Sequence, residues 1–347
     1  MNPFQEYFDN YFASRVNTGG FAASYTLPEL DEAVFSKTFA LPVVSLGMPS
    51  AKLPDFGDLV LPPLFLQAMD QDLREGIINR ILQSFPYHPG TKKRQRSMGN
   101  LKVIEYPSTR FLKGSYPEIL GFSVDPAVEQ HGPHLPLGTE SLISHHLLSK
   151  LGHEENDFAA CYPVDYGSLS WSTPHGFSID IGADFLTRYL QGYANAIMQW
   201  AQPKALYVVM SHGNKAHRKA VEEGLERSEC RHWKTRWLLE SATEDHEGSD
   251  IHAGGLHTSL LNQIAPNMID SRHWPETKDD LIENQFCSVR AQKDSHEPFD
   301  WIDAVEDADS NGIFGDLSKM DSYNAPALID SMILQSRKDI ESLRSGI

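Results

Sequence analysis

Short apolar segments alternate with amphipathic ones between residues 119 and 239. Residues 119–124 and 205–210 have the continuous apolar character of buried strands, and residues 183–200 repeat apolar side chains at helical spacing. Strands that alternate with helices form parallel sheets with helices on both faces. The chain is therefore predicted to be an α/β protein with a mostly parallel central sheet.

Weaker segments complete this pattern: helices over residues 141–151 and 216–229, and strands over residues 158–162 and 235–239. Before residue 100 the alternation is missing, although apolar side chains at helical spacing predict a helix within residues 73–85. We therefore divide the chain into an N-terminal extension, residues 1–100, partly helical and rich in Pro and Gly, and a main domain, residues 101–347.

The composition excludes some classes of partner. Acidic residues outnumber basic ones 47 to 30, which gives a net charge of −17 and argues against nucleic-acid binding. No segment approaches the ~18 apolar residues of a membrane span, and the first residues lack the apolar run of a secretory signal. Cys161, Cys230 and Cys287 are far apart and predict free thiols in a reducing compartment. We expect a cytoplasmic protein without membrane partners.

Carboxylates and imidazoles follow the predicted strands. Glu129 and His131 come just after the first strand, and His212 comes just after the strand over residues 205–210. Residues 250–257, with two further histidines, follow a later strand at a greater distance. Each fragment alone is also typical of a surface pair or a helix cap. Ligands collect at the carboxyl ends of parallel strands, and these donors suit Zn²⁺ or Mn²⁺, so together they predict a metal site.

The longest motif, residues 129–139, reads Glu-Gln-His-Gly-Pro-His-Leu-Pro-Leu-Gly-Thr. It resembles the signature of the creatininase (creatinine amidohydrolase) family. Residues 211–214, Ser-His-Gly-Asn, are similar to that family's Asn-Gly-His-Gly-Gly-Asn loop. Residues 252–259 resemble its His-Ala-Gly-Glu-x-Glu-Thr-Ser segment, and residues 312–316 resemble a Gly-rich segment near its C-terminus. The resemblance extends from about residue 105 to the end of the chain.

The resemblance implies a three-layer α/β/α sandwich, a homo-oligomer that is often a hexamer, and one or two divalent metal ions that activate a water. It implies hydrolysis of an amide-type C–N bond in a small, cyclic, polar molecule. Two alternatives stay open. One is hydrolytic C–C ring opening of a cyclic polyhydroxy ketone, and the other is a non-catalytic relative that binds a metal or a ligand.

The resemblance also assigns residues to roles. The positions that match or replace the family's metal ligands are Glu129, His131, Glu140, His212 and His257. Glu140 matches the carboxylate that bridges two metal ions, and His252 matches a histidine that assists proton transfer, so both are candidate catalytic residues. The metal is expected to be Zn²⁺, with Mn²⁺ as the alternative.

Several positions depart from the family pattern. Glu140 replaces an Asp, Gly255 replaces a Glu, and His257 replaces a second Glu that binds metal. An imidazole in place of a carboxylate favours Zn²⁺ over Mn²⁺. Asn214 and Lys215 stand where creatininase proper has Glu and Asn, so activity on creatinine itself is not expected.

The substrate would lie against residues 166–178 and the strand-end loop. The candidate binding residues are Ser168, Trp171, His175 and Asn214. Trp171 serves equally well as a packing residue, so both roles stay open. His145 and His146, on the helix after the long motif, are expected to be structural.

Overall fold

The structure, a computed structural model, covers most of the main domain and a few residues of the extension. The described residues are 61–64, 70, 72, 73, 76, 77, 80, 103–105, 117–132, 134–161, 163–169, 172, 178–240, 252–269, 313, 315 and 317–347.

Part of the N-terminal extension packs against the main domain. Strand β1, Leu61–Leu64, pairs in parallel with strand β2, Val103–Glu105. Leu73 and Ile77 lie in a helical segment, as the apolar spacing predicts, and both are buried in the largest core cluster. The domain boundary at residue 100 stays a prediction, but these extension residues belong to the same core as the main domain.

The central sheet has four parallel strands: β3, Ile119–Ser123; β4, Phe158–Ala160; β5, Ala205–Met210; and β6, Trp233–Trp237. Their order across the sheet is β4-β3-β5-β6. The predicted parallel sheet is therefore confirmed.

Strand β6 begins and ends two residues before its predicted bounds. The strand was expected to include Leu238 and Leu239 because both are apolar. Instead, both residues follow the strand, and their side chains are buried in the core. Their apolar character reflects burial after the strand, so the expected bounds were wrong at both ends.

Helices cover both faces of the sheet: α1, Thr139–Glu154; α2, Ala183–Trp200; α3, Lys215–Glu226; α4, Gly255–Ile264; and α5, Ala325–Gly346. Short 3₁₀ helices at Pro266–Met268 and Leu317–Ser322 complete the described elements. None of the helices among the described residues is long and apolar enough to cross a membrane.

Alternating side chains of each strand face opposite helical layers. Leu120 and Phe122 of β3 pack in the cluster that contains α2 and α3, whereas Ile119 packs with α1, α4 and α5. Burying one such side chain contributes about 1.5–3 kcal/mol, so both faces of the sheet drive folding. The arrangement is the three-layer α/β/α sandwich that the resemblance implies.

The strand order creates a crevice at the carboxyl ends of the two central strands. β3 and β5 are neighbours, with Gly121 opposite Tyr207. The chain leaves β3 through α1 towards β4 on one side and leaves β5 through α3 towards β6 on the other. In sheets of this type, ligands bind outside the carboxyl ends of the strands at this switch point. The predicted donor residues follow these two strands.

Candidate metal centre

Glu129 and His131 lie in a tight turn beyond β3. The N–H of Glu129 donates to the Leu137 carbonyl at 3.2 Å, which closes the turn. Gly132 has φ +68° and a Cβ there would lie 2.6 Å from Ile313, so the turn needs a glycine. Within the same turn, His131 Nδ1 donates a hydrogen bond to the Glu129 carbonyl, 3.1 Å away. Its Nε2 is buried and has no hydrogen-bond partner.

Glu140 is the second residue of α1 and is almost completely buried. The Thr139 hydroxyl donates to the Pro136 carbonyl at 2.7 Å and fixes the start of the helix. A carboxylate in the first turn of a helix is stabilised by the helix dipole. Glu140 therefore enters the crevice from α1 with a fixed backbone.

His212 follows β5 and meets both carboxylates. Its Nδ1 lies 2.8 Å from Glu140 Oε2 and 3.1 Å from Glu129 Oε2. The donor atoms of these three buried residues lie within 4.8 Å of one another. Glu129, Glu140 and His212 form what we call the carboxylate-rich group.

His252 and His257 reach the crevice from the start of α4. His252 Nε2 donates to the Gln130 carbonyl at 2.7 Å, and its ring centroid lies 4.1 Å from that of His131. The next residue, Ala253, has φ +57°, a strained conformation that is typical of functional sites. His131, Glu140 and His252 also have donor atoms within 4.8 Å, and we call them the imidazole-rich group.

His257 lies beside this second group. Its Nε2 is 3.6 Å from Glu140 Oε1, longer than a hydrogen bond, and neither of its ring nitrogens has a hydrogen-bond partner. The structure thus brings together every residue that was expected to bind metal. It also places His252, expected as a proton carrier, within the second group of donors.

The crevice fits a divalent metal ion. Buried polar atoms in native proteins almost always have a partner, yet several here have none. The atoms are Glu129 Oε1, His131 Nε2, His212 Nε2, and both ring nitrogens of His257. Carboxylate oxygens and neutral imidazoles are ligands of Zn²⁺ and Mn²⁺. Metal binding would give partners to several of these atoms, with at most one nitrogen of each ring bound to a given ion.

Charges are distributed unevenly within the carboxylate-rich group. Burial raises the pKa of Glu129, with the Glu140 charge adding to the effect and His212 opposing it. Burial would also raise the pKa of Glu140, but His212 and then His257 hold it well below its ordinary value. Against the effect of burial, the two carboxylates hold the pKa of His212 well above its ordinary value. His212 therefore carries a proton between two acidic side chains, and it would release that proton on binding a metal ion.

Histidines of the imidazole-rich group behave in the opposite way. Burial lowers the pKa of His131 to about 3. Burial, helped by the nearby His131, holds the pKa of His252 well below its ordinary value. Both rings are neutral at pH 7, which is the form that binds metal.

The candidate substrate residues have different outcomes. The N–H of Ser168 donates to His217 Nδ1 at 3.2 Å. Asn214 caps α3 by accepting from the N–H of His217 at 3.1 Å. Trp171 and His175 lie outside the described residues. His145, expected to be structural, is fully buried, with its Nε2 3.9 Å from Asp165.

Two neighbours of the site were not expected from the sequence. His217 packs its ring against His212, with centroids 4.9 Å apart, and its Nε2 donates to the Val124 carbonyl at 3.0 Å. Asp125 accepts from the N–H groups of Ser211 and His212. A carboxylate directly after a buried strand was the signal that could have identified Asp125.

Solved creatininases share the fold. A mutant creatininase has a TM-score of 0.50 at 12% identity, over 65% of this chain and 92% of that chain. A second mutant creatininase, complexed with creatine, has a TM-score of 0.50 at 11% identity over the same shares of the two chains. Identities this low concern the fold alone, and the fold agrees with the predicted sandwich.

Curated relatives are similar in sequence over part of their length. The mycofactocin precursor peptide peptidase of Mycobacterium tuberculosis is 28% identical over 157 residues, covering 43% of this chain and 59% of that protein. The protein of the same name from Mycobacterium ulcerans is 30% identical over 153 residues, covering 41% of this chain and 57% of that protein. The chain therefore spans less than two thirds of the length of these relatives.

A family model described as Creatininase: Creatinine amidohydrolase matches residues 126–338. The match covers more than half of the 347 residues and includes both donor groups, from Glu129 to His257. The crevice geometry and this match agree with the resemblance read from residues 129–139, and the chain belongs to the creatininase family.

Proposed function

We propose that the protein is a metal-dependent hydrolase that cleaves an amide-type C–N bond. One observation carries this proposal. Glu140 is shared by two groups of buried donors, one with Glu129 and His212 and the other with His131 and His252. This arrangement suits two ions that share one carboxylate, and the neutral histidines of the second group favour Zn²⁺ over Mn²⁺.

Different residues of this chain would bind the ions and transfer the proton. Glu129, Glu140 and His212 would hold one ion, and His131, Glu140 and His257 would hold the other. A divalent ion at such a site supplies Lewis acidity, which polarises a carbonyl and acidifies water. His252 is neutral, and its Nε2–H is fixed on the Gln130 carbonyl, so its other ring nitrogen would accept a proton and pass it to the leaving amine.

We propose a peptide bond as the first substrate class. The relatives named as precursor peptide peptidases support this choice, because they are more similar in sequence than the creatininases of the same fold. A small cyclic amide is the second choice, and creatinine is disfavoured by Asn214 and Gly255. A cyclic polyhydroxy ketone and a non-catalytic role are the remaining outcomes of the test.

The test combines metal analysis with a substrate screen. The purified protein is expected to contain zinc or manganese, and metal-loaded protein is expected to hydrolyse peptides or cyclic amides. His131→Ala should lose most metal from the imidazole-rich group, and His145→Ala is the matched control for loss of a buried histidine. Protein that binds no divalent metal above trace level would contradict the hydrolase proposal.

A second measurement distinguishes the role of His252 from that of His257. His252→Ala should keep its metal and lose turnover, whereas His257→Ala should lose metal. If His252→Ala loses metal instead, His252 is a ligand and His257 is not.

We also propose a cytoplasmic homo-oligomer. Cys161 and Cys230 are buried free thiols, as predicted, and Cys287 lies outside the described residues. Free thiols support a reducing compartment. Native mass spectrometry would identify the oligomer, and a hexamer is expected from the family resemblance.

A further inference from the structure

Asp125 is a buried carboxylate that belongs to neither donor group. It directly follows β3 and Val124, and only 1% of its surface is exposed. Its backbone N–H donates to the Val164 carbonyl at 3.1 Å, which ties it to the chain beyond β4. The main chain at Asp125 is therefore fixed.

One oxygen of this carboxylate receives two successive N–H groups. Asp125 Oδ1 accepts from Ser211 at 2.7 Å and from His212 at 2.9 Å. Hydrogen bonds to an ionised carboxylate are stronger than those between neutral groups. Because these N–H groups lie beyond the end of β5, the side chain of Asp125 fixes the place where His212 enters the crevice.

Serines of α1 join the same network. The Ser141 hydroxyl donates to the Asp125 carbonyl at 3.3 Å, and the hydroxyls of Ser144 and Ser211 lie 2.9 Å apart. Ser141 directly follows Glu140. The network thus connects the three segments that supply Glu129, Glu140 and His212.

Keeping this carboxylate buried is unfavourable. Burial, with the charge of Glu140 adding to it, raises the pKa of Asp125 to about 7, while Ser144 and the N–H groups of His212 and Ser211 oppose the rise. A buried acid beside a second acid weakens the folded state unless hydrogen bonds compensate. The two N–H groups that donate to Asp125 offset part of this cost.

We infer that Asp125 is a positioning residue that holds His212 at the distance from Glu129 and Glu140 at which the three can bind one ion. The inference rests on the proposed metal site. Asp125 is a member of neither donor group. Its contribution is the acceptance of two N–H groups at the end of β5.

Cobalt binding tests this role, because the visible spectrum of Co²⁺ reports the geometry of its ligands. Asp125→Ala removes the acceptor and is expected to weaken Co²⁺ binding about 10- to 100-fold, the usual effect of losing a residue that orients a metal ligand. The Co²⁺ spectrum should change as well. Asp125→Asn keeps an oxygen that can accept both N–H groups, so it should restore most of the affinity and the spectrum.

Asp339→Asn is the matched control. It also removes a buried carboxylate, but Asp339 lies on α5 and interacts with Lys234 and Arg236, away from the crevice. It is expected to leave Co²⁺ affinity unchanged, which separates positioning from a general loss of stability. If Asp125→Ala does not fold, Asp125→Ser replaces it, since the shorter hydroxyl cannot reach both N–H groups.

Different failures contradict different claims. Wild-type protein that takes up no Co²⁺ would contradict the proposed metal site. Wild-type protein that binds Co²⁺, together with Asp125→Ala of equal affinity and spectrum, would overturn the positioning role alone. A defect in Asp125→Asn as large as that in Asp125→Ala would also overturn it, because the charge and not the acceptor would then matter.

Discussion

The two donor groups share Glu140 but differ in every other member. In the carboxylate-rich group, His212 holds a proton between two acids, with its Nδ1 2.8 Å from Glu140 and 3.1 Å from Glu129. In the imidazole-rich group, His131 and His252 are buried as neutral rings. One half of the crevice is therefore an ion pair, and the other half contains neutral imidazoles.

This difference would let the crevice hold two unlike ions, as proposed above. Carboxylate oxygens suit harder ions such as Mn²⁺, and imidazole nitrogens suit Zn²⁺. Burial favours neutral histidines in both halves. Two carboxylates beside His212 outweigh this effect, whereas Glu140 alone does not outweigh it at His131 and His252. The predictions below test whether the halves behave separately.

Glu140→Gln should have the largest effect, because it changes the residue that both groups share. Metal content of both groups is expected to fall, and metal affinity should weaken by more than about 100-fold, beyond the loss seen for residues that merely support a ligand. Inductively coupled plasma mass spectrometry after dialysis measures the metal content that remains. Retention of one full equivalent of metal would show that only one group uses Glu140.

His212→Ala should affect one group alone. The carboxylate-rich group loses its only nitrogen donor, so one equivalent of metal should be lost while the imidazole-rich group keeps its own. Calorimetric titration with Zn²⁺ counts the sites. His145→Ala, which removes an equally buried ring away from both groups, is the control. Loss of both sites in His212→Ala would mean that the two groups act as one.

His257→Glu should change metal preference more than metal content. A carboxylate in place of the His257 ring, whose Nε2 lies 3.6 Å from Glu140 Oε1, adds negative charge to the imidazole-rich half, which favours Mn²⁺ relative to Zn²⁺. Competition between the two ions should shift about tenfold towards Mn²⁺, within the range of ligand-environment effects. An unchanged ratio would place His257 outside the ligand set.

Asp339→Asn should have the smallest effect and should spare both groups. Although burial opposes it, hydrogen bonds from Arg236 and Lys234 hold the pKa of Asp339 below its ordinary value. A carboxyl with a lowered folded pKa stabilises above its unfolded pKa and loses that contribution as the pH falls through the folded pKa.

The expected loss in Asp339→Asn is about 1–2 kcal/mol at pH 7, less than for a fully buried pair because both cations are partly exposed. The difference from wild type should shrink as the pH falls below the ordinary Asp pKa of about 3.9, and it should disappear below the lowered folded pKa, where the wild-type carboxyl is protonated as well. Urea unfolding at several pH values measures this. A difference that persists at low pH would mean that packing, rather than charge, is responsible.

Strand-end positions were predictable from sequence, and contacts across the crevice were not. Glu129, His131 and His212 could be placed because buried strands are visible as apolar runs and parallel strands end at one edge. The relation of His252 to His257 depends on a strained backbone at Ala253, which no residue pattern signals. Asp125 was missed because a single acid after a strand usually faces solvent.

Helix α5 shows the same limit. Besides its apolar contacts, the helix meets the sheet through Asp339, which pairs with Arg236 and Lys234 from a distant part of the chain. Such pairings become visible only when the strands and helices are already in place. Local patterns predicted elements of the sheet, and the long-range charge pairs required the structure.

The order of the donor residues along the chain determines which donor group is completed first during translation. Glu129, Glu140 and His212 are all made before the ribosome reaches His252. At about 5–20 residues per second, His257 follows His212 by a few seconds. A growing chain therefore contains all three residues of its carboxylate-rich group first, and the imidazole-rich group is complete only when His252 has been added.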